Sequence, residues 1–254
     1  MKKLKNIKNN TIPLAFLASI IVIWQFSVDR GLIARYILPS PWDVITTCFE
    51  IFPEIRIHVY TTLQEAMIGL FVAILLALLL SVLMDSFSVI KKALQPLLVV
   101  SQTIPIMVLA PLFVMWFGFG IFPKIIVVIL VCFFPIVVNL LEGLSSLDTD
   151  LLNLLKSMKA SRWQIFYLAK FPASLGSFFS GIKIGATYSI IGAVIGEWMG
   201  GKAGLGVYMT RVRQSFALDK VFAAILIIVV LSMLLFKMIE MIQFLVLPWK
   251  RSLK

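Results

Sequence analysis

The groups that could do chemistry are few and scattered. His58 is the only histidine, so a histidine-based metal cluster is impossible, and a Ser-His-Asp arrangement would have to use a residue from a loop. Cys48 and Cys132 lie far apart, with neither zinc-site nor disulfide-framework spacing, and read as small apolar fillers. Gly196-Glu197-Trp198-Met199-Gly200-Gly201-Lys202 matches the opening of a phosphate-binding P-loop, but Ala203 follows where Ser or Thr is needed. That segment also follows an apolar helix rather than a strand. The chain is therefore not expected to be an enzyme, to hold a metal or to bind ATP itself.

The elements that must position these groups are set by composition. Hydrophobic residues make up 61% of the 254 and charged residues 14%, whereas a soluble domain has about 25% charged residues. Mean hydropathy is +1.03. Apolar runs fall at Thr11 to Val28, Thr62 to Met84, Ala93 to Trp116, Ile121 to Leu141, Gly176 to Trp198 and Val221 to Leu247. Each suits a helix crossing about 30 Å of hydrocarbon. The runs are continuously apolar rather than alternating, which excludes barrel strands. The fold class is all-α, a polytopic membrane protein of about six transmembrane helices.

The net charge of +11 points to the membrane surface rather than to nucleic acid. Positive residues favour one side, thirteen against eight, if both termini are cytoplasmic. Lys2, Lys3, Lys5 and Lys8 make residues 1–10 a basic cytoplasmic start, and the first run lacks a signal-peptide cleavage pattern. On the outer side, Leu38-Pro39-Ser40-Pro41-Trp42-Asp43 reads as the start of an interfacial helix. On the inner side, residues 142–173 form the only long loop. Asp148 to Ala160 reads as one short helix. Ser161-Arg162-Trp163-Gln164 is an S-x-x-Q capping box that starts a second, which Phe171-Pro172 should end. Periodicity alone leaves two readings open, a hairpin resting on lipid or a rigid knob for a partner.

The run Leu151 to Pro172, with Ala160-Ser161, Ile165 and Phe171-Pro172, resembles the EAA coupling loop of permease subunits of ATP-binding-cassette importers. Asn153-Leu154-Leu155 stands where that family has Glu-Ala-Ala, and Lys159 where it has Gly. Leu38-Pro39-Ser40-Pro41, Pro111-Leu112-Phe113, Trp116-Phe117-Gly118, Glu197 and Gly204-Leu205-Gly206 are similar to the sulfonate, taurine, nitrate and thiamin-precursor subfamily. Ala186-Thr187-Tyr188 through Glu197-Trp198 looks most like the branch that imports pyrimidine thiamin precursors.

The resemblance implies a type I importer permease fold, with residues 11–254 as one transmembrane permease domain. It implies a multi-pass protein of a bacterial inner membrane, acting as a homodimer. Its implied partners are two cytoplasmic ATPase subunits, which bind ATP and Mg, and an extracytoplasmic substrate-binding protein. Asn153, Leu154, Leu155, Lys159, Ala160, Ser161, Ile165 and Pro172 would form the coupling loop.

Within the spans, Gly181, Gly185, Ser189, Gly192 and Gly196 share one helical face. Such a face permits close packing of helices in lipid, inside one chain or at a dimer seam. Lys183 is expected to snorkel to the inner interface. Glu197 is expected to pair with Arg211 or Arg213, or to touch the pathway. Thr187, Tyr188 and Gln102, beside the break at Pro105, are the other pathway candidates. An ion-driven secondary transporter is the rival class, but no acidic residue lies in the middle of a span and no internal repeat is apparent.

Overall fold

In hydrocarbon every backbone N–H and C=O must find a partner within the protein, and a run of Leu, Ile, Val and Phe meets that demand only as a helix. The computed structural model describes residues 2–248, with side chains from Ile12 onward except Leu14. The side chains of Lys2, Lys3, Lys5 and Lys8 in the basic start, and residues Lys250, Arg251 and Lys254, lie outside what is described. Among the described residues there is no strand. The helices are α1 (Lys2–Asp29), α2 (Pro41–Glu50), α3 (Phe52–Ser86), α4 (Ser88–Ser101), α5 (Ile106–Phe117), α6 (Ile121–Ser145), α7 (Thr149–Ser157), α8 (Arg162–Ile165), α9 (Phe171–Trp198), α10 (Leu205–Gln214) and α11 (Leu218–Val246).

Among the described residues four helical runs are long and apolar enough to cross a membrane: α3, α6, α11 and the stretch Arg162–Trp198. They coincide with four of the six expected spans. The expected first span lies in α1. The expected third span is not one straight helix, because α4 and α5 meet at 99°. Pro105 has no N–H to continue the ladder. The hydroxyls of Ser101 and Thr103 instead donate to the carbonyls of Leu98 and Val100, at 2.7 and 2.8 Å.

The second departure is at Phe171-Pro172, which does not end a helix. The backbone passes from α8 through a π turn, Phe166–Lys170, straight into α9. The Phe171 N–H reaches back to the Phe166 carbonyl. This wider turn accommodates the proline ring, which an ordinary turn would press against the carbonyl four residues earlier.

The chain divides into two compact units. One comprises the residues up to Arg56 together with Tyr208–Ile227. In it Pro39, Ser40 and Pro41 start α2: Ser40 caps the Asp43 N–H at 3.1 Å, and Asp43 returns the bond to the Ser40 N–H at 3.2 Å. Trp24 donates its indole N–H to the Pro39 carbonyl, which fixes the preceding turn. Cys48 is half-buried with its thiol directed at the Ala223 carbonyl, and burial raises its pKa.

The other unit comprises Ile57–Val207 and the chain from Ile228 on. Its core joins a small-residue face of α3 (Ala66, Leu70, Ala73, Ala77) to Val128, Cys132, Ile136 and Leu140 of α6 and to Ile182, Ala186, Ile190 and Ala193 of α9. The glycine face of α9 is turned toward α6. A methyl group added at Gly181 would lie 2.8 Å from the Pro135 carbonyl oxygen and 2.9 Å from the Ile136 Cα. One at Gly192 would press into Val131, and one at Gly196 would lie 3.1 Å from the Lys124 Cα. One at Gly185 would meet only side chains, Ile136 at 3.2 Å and Leu70 at 3.4 Å.

These contacts grade the expected cost of substitution. Gly181→Ala should destabilise the detergent-solubilised protein by about 1–3 kcal/mol, since backbone must move. Gly185→Ala should cost less than half as much, because the Ile136 side chain can shift. Equal melting temperatures for the two variants would contradict this packing.

Candidate functional site

Two constellations stand at opposite ends of the α6 and α9 pair. At one end the chain leaves α6 at Ser145, forms α7, turns and re-enters a helix at Arg162. Asp148 caps α7 through the Asp150 N–H, at 2.8 Å. After Ser157 the backbone closes with two bonds: the Lys159 N–H donates to the Lys156 carbonyl, and the Ala160 N–H to the Leu155 carbonyl. This is a Schellman closure, which needs a left-handed residue at Lys159, and its φ is 58°. The Gly of the resembled motif is the residue this conformation suits best. Ser161 and Gln164 then exchange the expected capping-box bonds, at 3.3 and 2.7 Å.

This hairpin displays an apolar surface. Met158, Trp163, Tyr167 and Leu168 are between 69% and 72% exposed, and Leu154 is exposed beside them. Asn153 is also exposed and Leu155 half-buried. Ile165 is buried beneath, and Phe166 packs its ring against Trp163 and Phe171. Pro172 is seated in the first turn of α9. The root is tied to the end of α3 by Lys170, whose ammonium contacts both oxygens of Asp85 at 2.7 and 3.0 Å. Sequence reasoning did not single out Asp85, because a lone acid at the end of an apolar run resembles an ordinary interfacial charge.

At the other end, the loop between α9 and α10 is closed by a buried polar clasp. Thr62 of α3 donates its hydroxyl to Glu197 Oε1 at 2.6 Å, and the Gly206 N–H donates to Glu197 Oε2 at 2.6 Å. The Leu205 N–H donates to the Thr62 hydroxyl at 2.8 Å, and the Gly204 N–H to His58 Nδ1 at 3.0 Å. Glu197 is 1% exposed. Its carboxylate occupies the space that a Cβ on Gly204 would need, and Gly204 has φ 128°, so only glycine fits. Beside the clasp Lys124 of α6 donates to Glu65 of α3 at 2.7 Å, both side chains buried. The partners of Glu197 are thus Thr62 and Gly206, in place of the expected Arg211 or Arg213.

His58, Thr62 and Glu65 were missed, yet their spacing of four and three puts them on one helical face. A polar stripe on an otherwise apolar helix is a signal that could have found them. The P-loop-like segment has no free cradle: the N–H groups of Met199, Gly200 and Gly201 all bond back to the end of α9.

The remaining candidates are dispersed. Gln102 is exposed at the bend between α4 and α5. Thr187 bonds its hydroxyl to the Lys183 carbonyl, and Tyr188 is exposed. Lys183 lies over the Phe236 ring, 5.6 Å from its centroid. These groups do not converge with Glu197 on one polar site.

Residues 68–247 match the family model of the binding-protein-dependent transport system inner membrane component. The formylaminopyrimidine transport permease protein ThiX of Halalkalibacterium halodurans is 38% identical over 241 residues, covering 94% of this chain and 96% of that one. A putative aliphatic sulfonates transport permease protein of Bacillus subtilis is 28% identical, covering 92% and 86%. The taurine transport system permease protein of Escherichia coli is 26% identical, covering 94% and 90%.

Two variants probe the two ends. Lys159→Gly should stabilise the hairpin by about 1 kcal/mol, by relieving a left-handed side chain, and should raise the melting temperature. Glu197→Ala removes the carboxylate that accepts from the Thr62 hydroxyl and the Gly206 N–H and should destabilise the loop by about 1–3 kcal/mol. Hydrogen exchange at Leu205 and Gly206 should then accelerate. Unchanged protection of those amides would show that the clasp does not hold the loop.

Proposed function

The chain belongs to the family of binding-protein-dependent transport system inner membrane components, and from this premise we propose that the hairpin at residues 142–173 couples it to a separate ATPase. Permeases of this family are transport subunits of importers in the inner membrane. The observation that carries the coupling proposal is the exposure of Leu154, Met158, Trp163, Tyr167 and Leu168 on a hairpin whose second helix runs through the π turn into α9. A rigid apolar knob at the end of the spans suits insertion into a cleft of a partner protein, where aromatic anchors contribute most of the binding energy. Its basic neighbours, Lys156, Lys159 and Arg162, favour the cytoplasmic side, and in this proposal both termini lie on that side as well.

In the proposed cycle two ATPase subunits bind ATP and Mg and close. The hairpins of a permease homodimer move together, and the pathway turns outward to receive substrate from an external binding protein. This chain performs no covalent step and binds no cofactor. The pathway candidates remain Gln102, Thr187 and Tyr188. The likeness to the formylaminopyrimidine permease, at higher identity than to the sulfonate and taurine permeases, supports a small pyrimidine precursor of thiamin as the cargo.

Uptake and ATP hydrolysis measured together in proteoliposomes test this reading. Lys159→Glu, or a bulky insertion beside Ala160, should abolish coupled uptake while the protein stays in the membrane and the ATPase still turns over. Normal uptake in both variants would overturn the coupling assignment. Labelled formylaminopyrimidine should be imported in preference to taurine, and the reverse preference would move the cargo to the sulfonate group.

A further inference from the structure

Where α3 gives way to α4 at Phe87, two adjoining cavities open, of about 530 and 640 Å³, with Asp85, Ser86, Phe87 and Arg162 as shared walls. The first brings Ser88, Lys91 and Arg162 into its wall beside the apolar Met84, Val89 and Ile90. The second continues it along apolar side chains, Val82, Leu83, Leu152 and Trp163, with Lys156 also in its wall. The charge is unbalanced. Asp85 is matched by Lys170 at 2.7 Å, whereas Lys91, Lys156 and Arg162 form no ion pair among the described residues. The first turn of α4 adds to the positive field, since Phe87 gives it no side-chain cap.

A groove with cations at one end and hydrocarbon walls at the other matches a phosphate that carries a hydrocarbon chain. Inorganic phosphate would use only the first half. The position agrees: the apolar run of α3 ends at Met84, so the cationic half lies at headgroup level and the apolar half reaches toward the hydrocarbon. We propose that this paired groove binds an anionic phospholipid. Lys91 and Arg162 hold the headgroup phosphate, and Val82, Leu83 and Leu152 contact the start of its acyl chains. The bound lipid bridges the end of α3 to the hairpin, alongside the Asp85–Lys170 pair. The inference rests on the membrane placement of the chain and on neither the ATPase nor the cargo, so failure of the transport reading leaves it standing.

Native mass spectrometry of the purified full chain, with titrated phosphatidylglycerol, phosphatidylcholine or inorganic phosphate, tests it. Phosphatidylglycerol should bind more tightly than phosphatidylcholine and should not be displaced by inorganic phosphate at equal concentration. Lys91→Gln and Arg162→Gln should each weaken it about fivefold, from roughly 1 kcal/mol per cation at a lipid surface. Lys92→Gln, exposed and outside the groove, should leave it unchanged. If Arg162→Gln does not fold, Lys91→Gln decides alone. Equal binding of the two lipids, or equal weakening by Lys92→Gln, would overturn the site. Displacement by inorganic phosphate would make it a free-anion site instead. Retained lipid binding in Arg162→Gln, with lost capture of the ATPase, would reassign the groove to protein contact.

Discussion

The close approach of α6 and α9 is the interaction on which the rest of the structure depends. In lipid, apolar side chains gain little by leaving hydrocarbon for one another, so helices associate through fitted van der Waals contact. Gly181, Gly192 and Gly196 supply that fit by letting the α9 backbone lie directly on Pro135, Ile136, Val131 and Lys124 of α6. The bend of α4 against α5 and the attachment of α3 are arranged around this seam. Since the hairpin of α7 and α8 connects the same two helices, its root is held on both sides.

The seam also explains why the two polar constellations share a frame. α9 carries the hairpin at one end and Glu197 at the other, and α6 carries Lys124 beside the clasp. Burying these charges in a membrane is costly, and they persist because each is paired or hydrogen-bonded within the protein. The clasp joins α3 to the loop after α9 near Glu197, and the Asp85–Lys170 pair joins α3 to the same helical run near the hairpin. In the proposed cycle a displacement at the hairpin therefore reaches the far end of α9 through a packed, doubly anchored pair of helices rather than through a flexible loop.

Much of this was legible in the sequence, for physical reasons that can be named. Long apolar runs in lipid have only the helix available, so most spans fell where hydropathy placed them. The capping pair at Ser161 is local chemistry, which three-residue spacing specifies. The glycine face was legible as a face, but its partner, α6 in the same chain, was not, because a small-residue stripe fits any close neighbour. The π turn before Pro172 was misjudged because proline usually stops a helix and the wider turn has no sequence signature of its own. The clasp required knowing that Gly204 and Leu205 come back to α3, a contact between residues more than 130 positions apart.

The claim that this chain serves a separate ATPase through its hairpin is tested most directly by gentle detergent purification of the tagged protein from its native membrane, with quantification of what stays bound. The account predicts recovery of a nucleotide-binding ATPase in equal amount, with the permease as a dimer. A stable monomer without that subunit, driving uptake from an ion gradient alone, would contradict it.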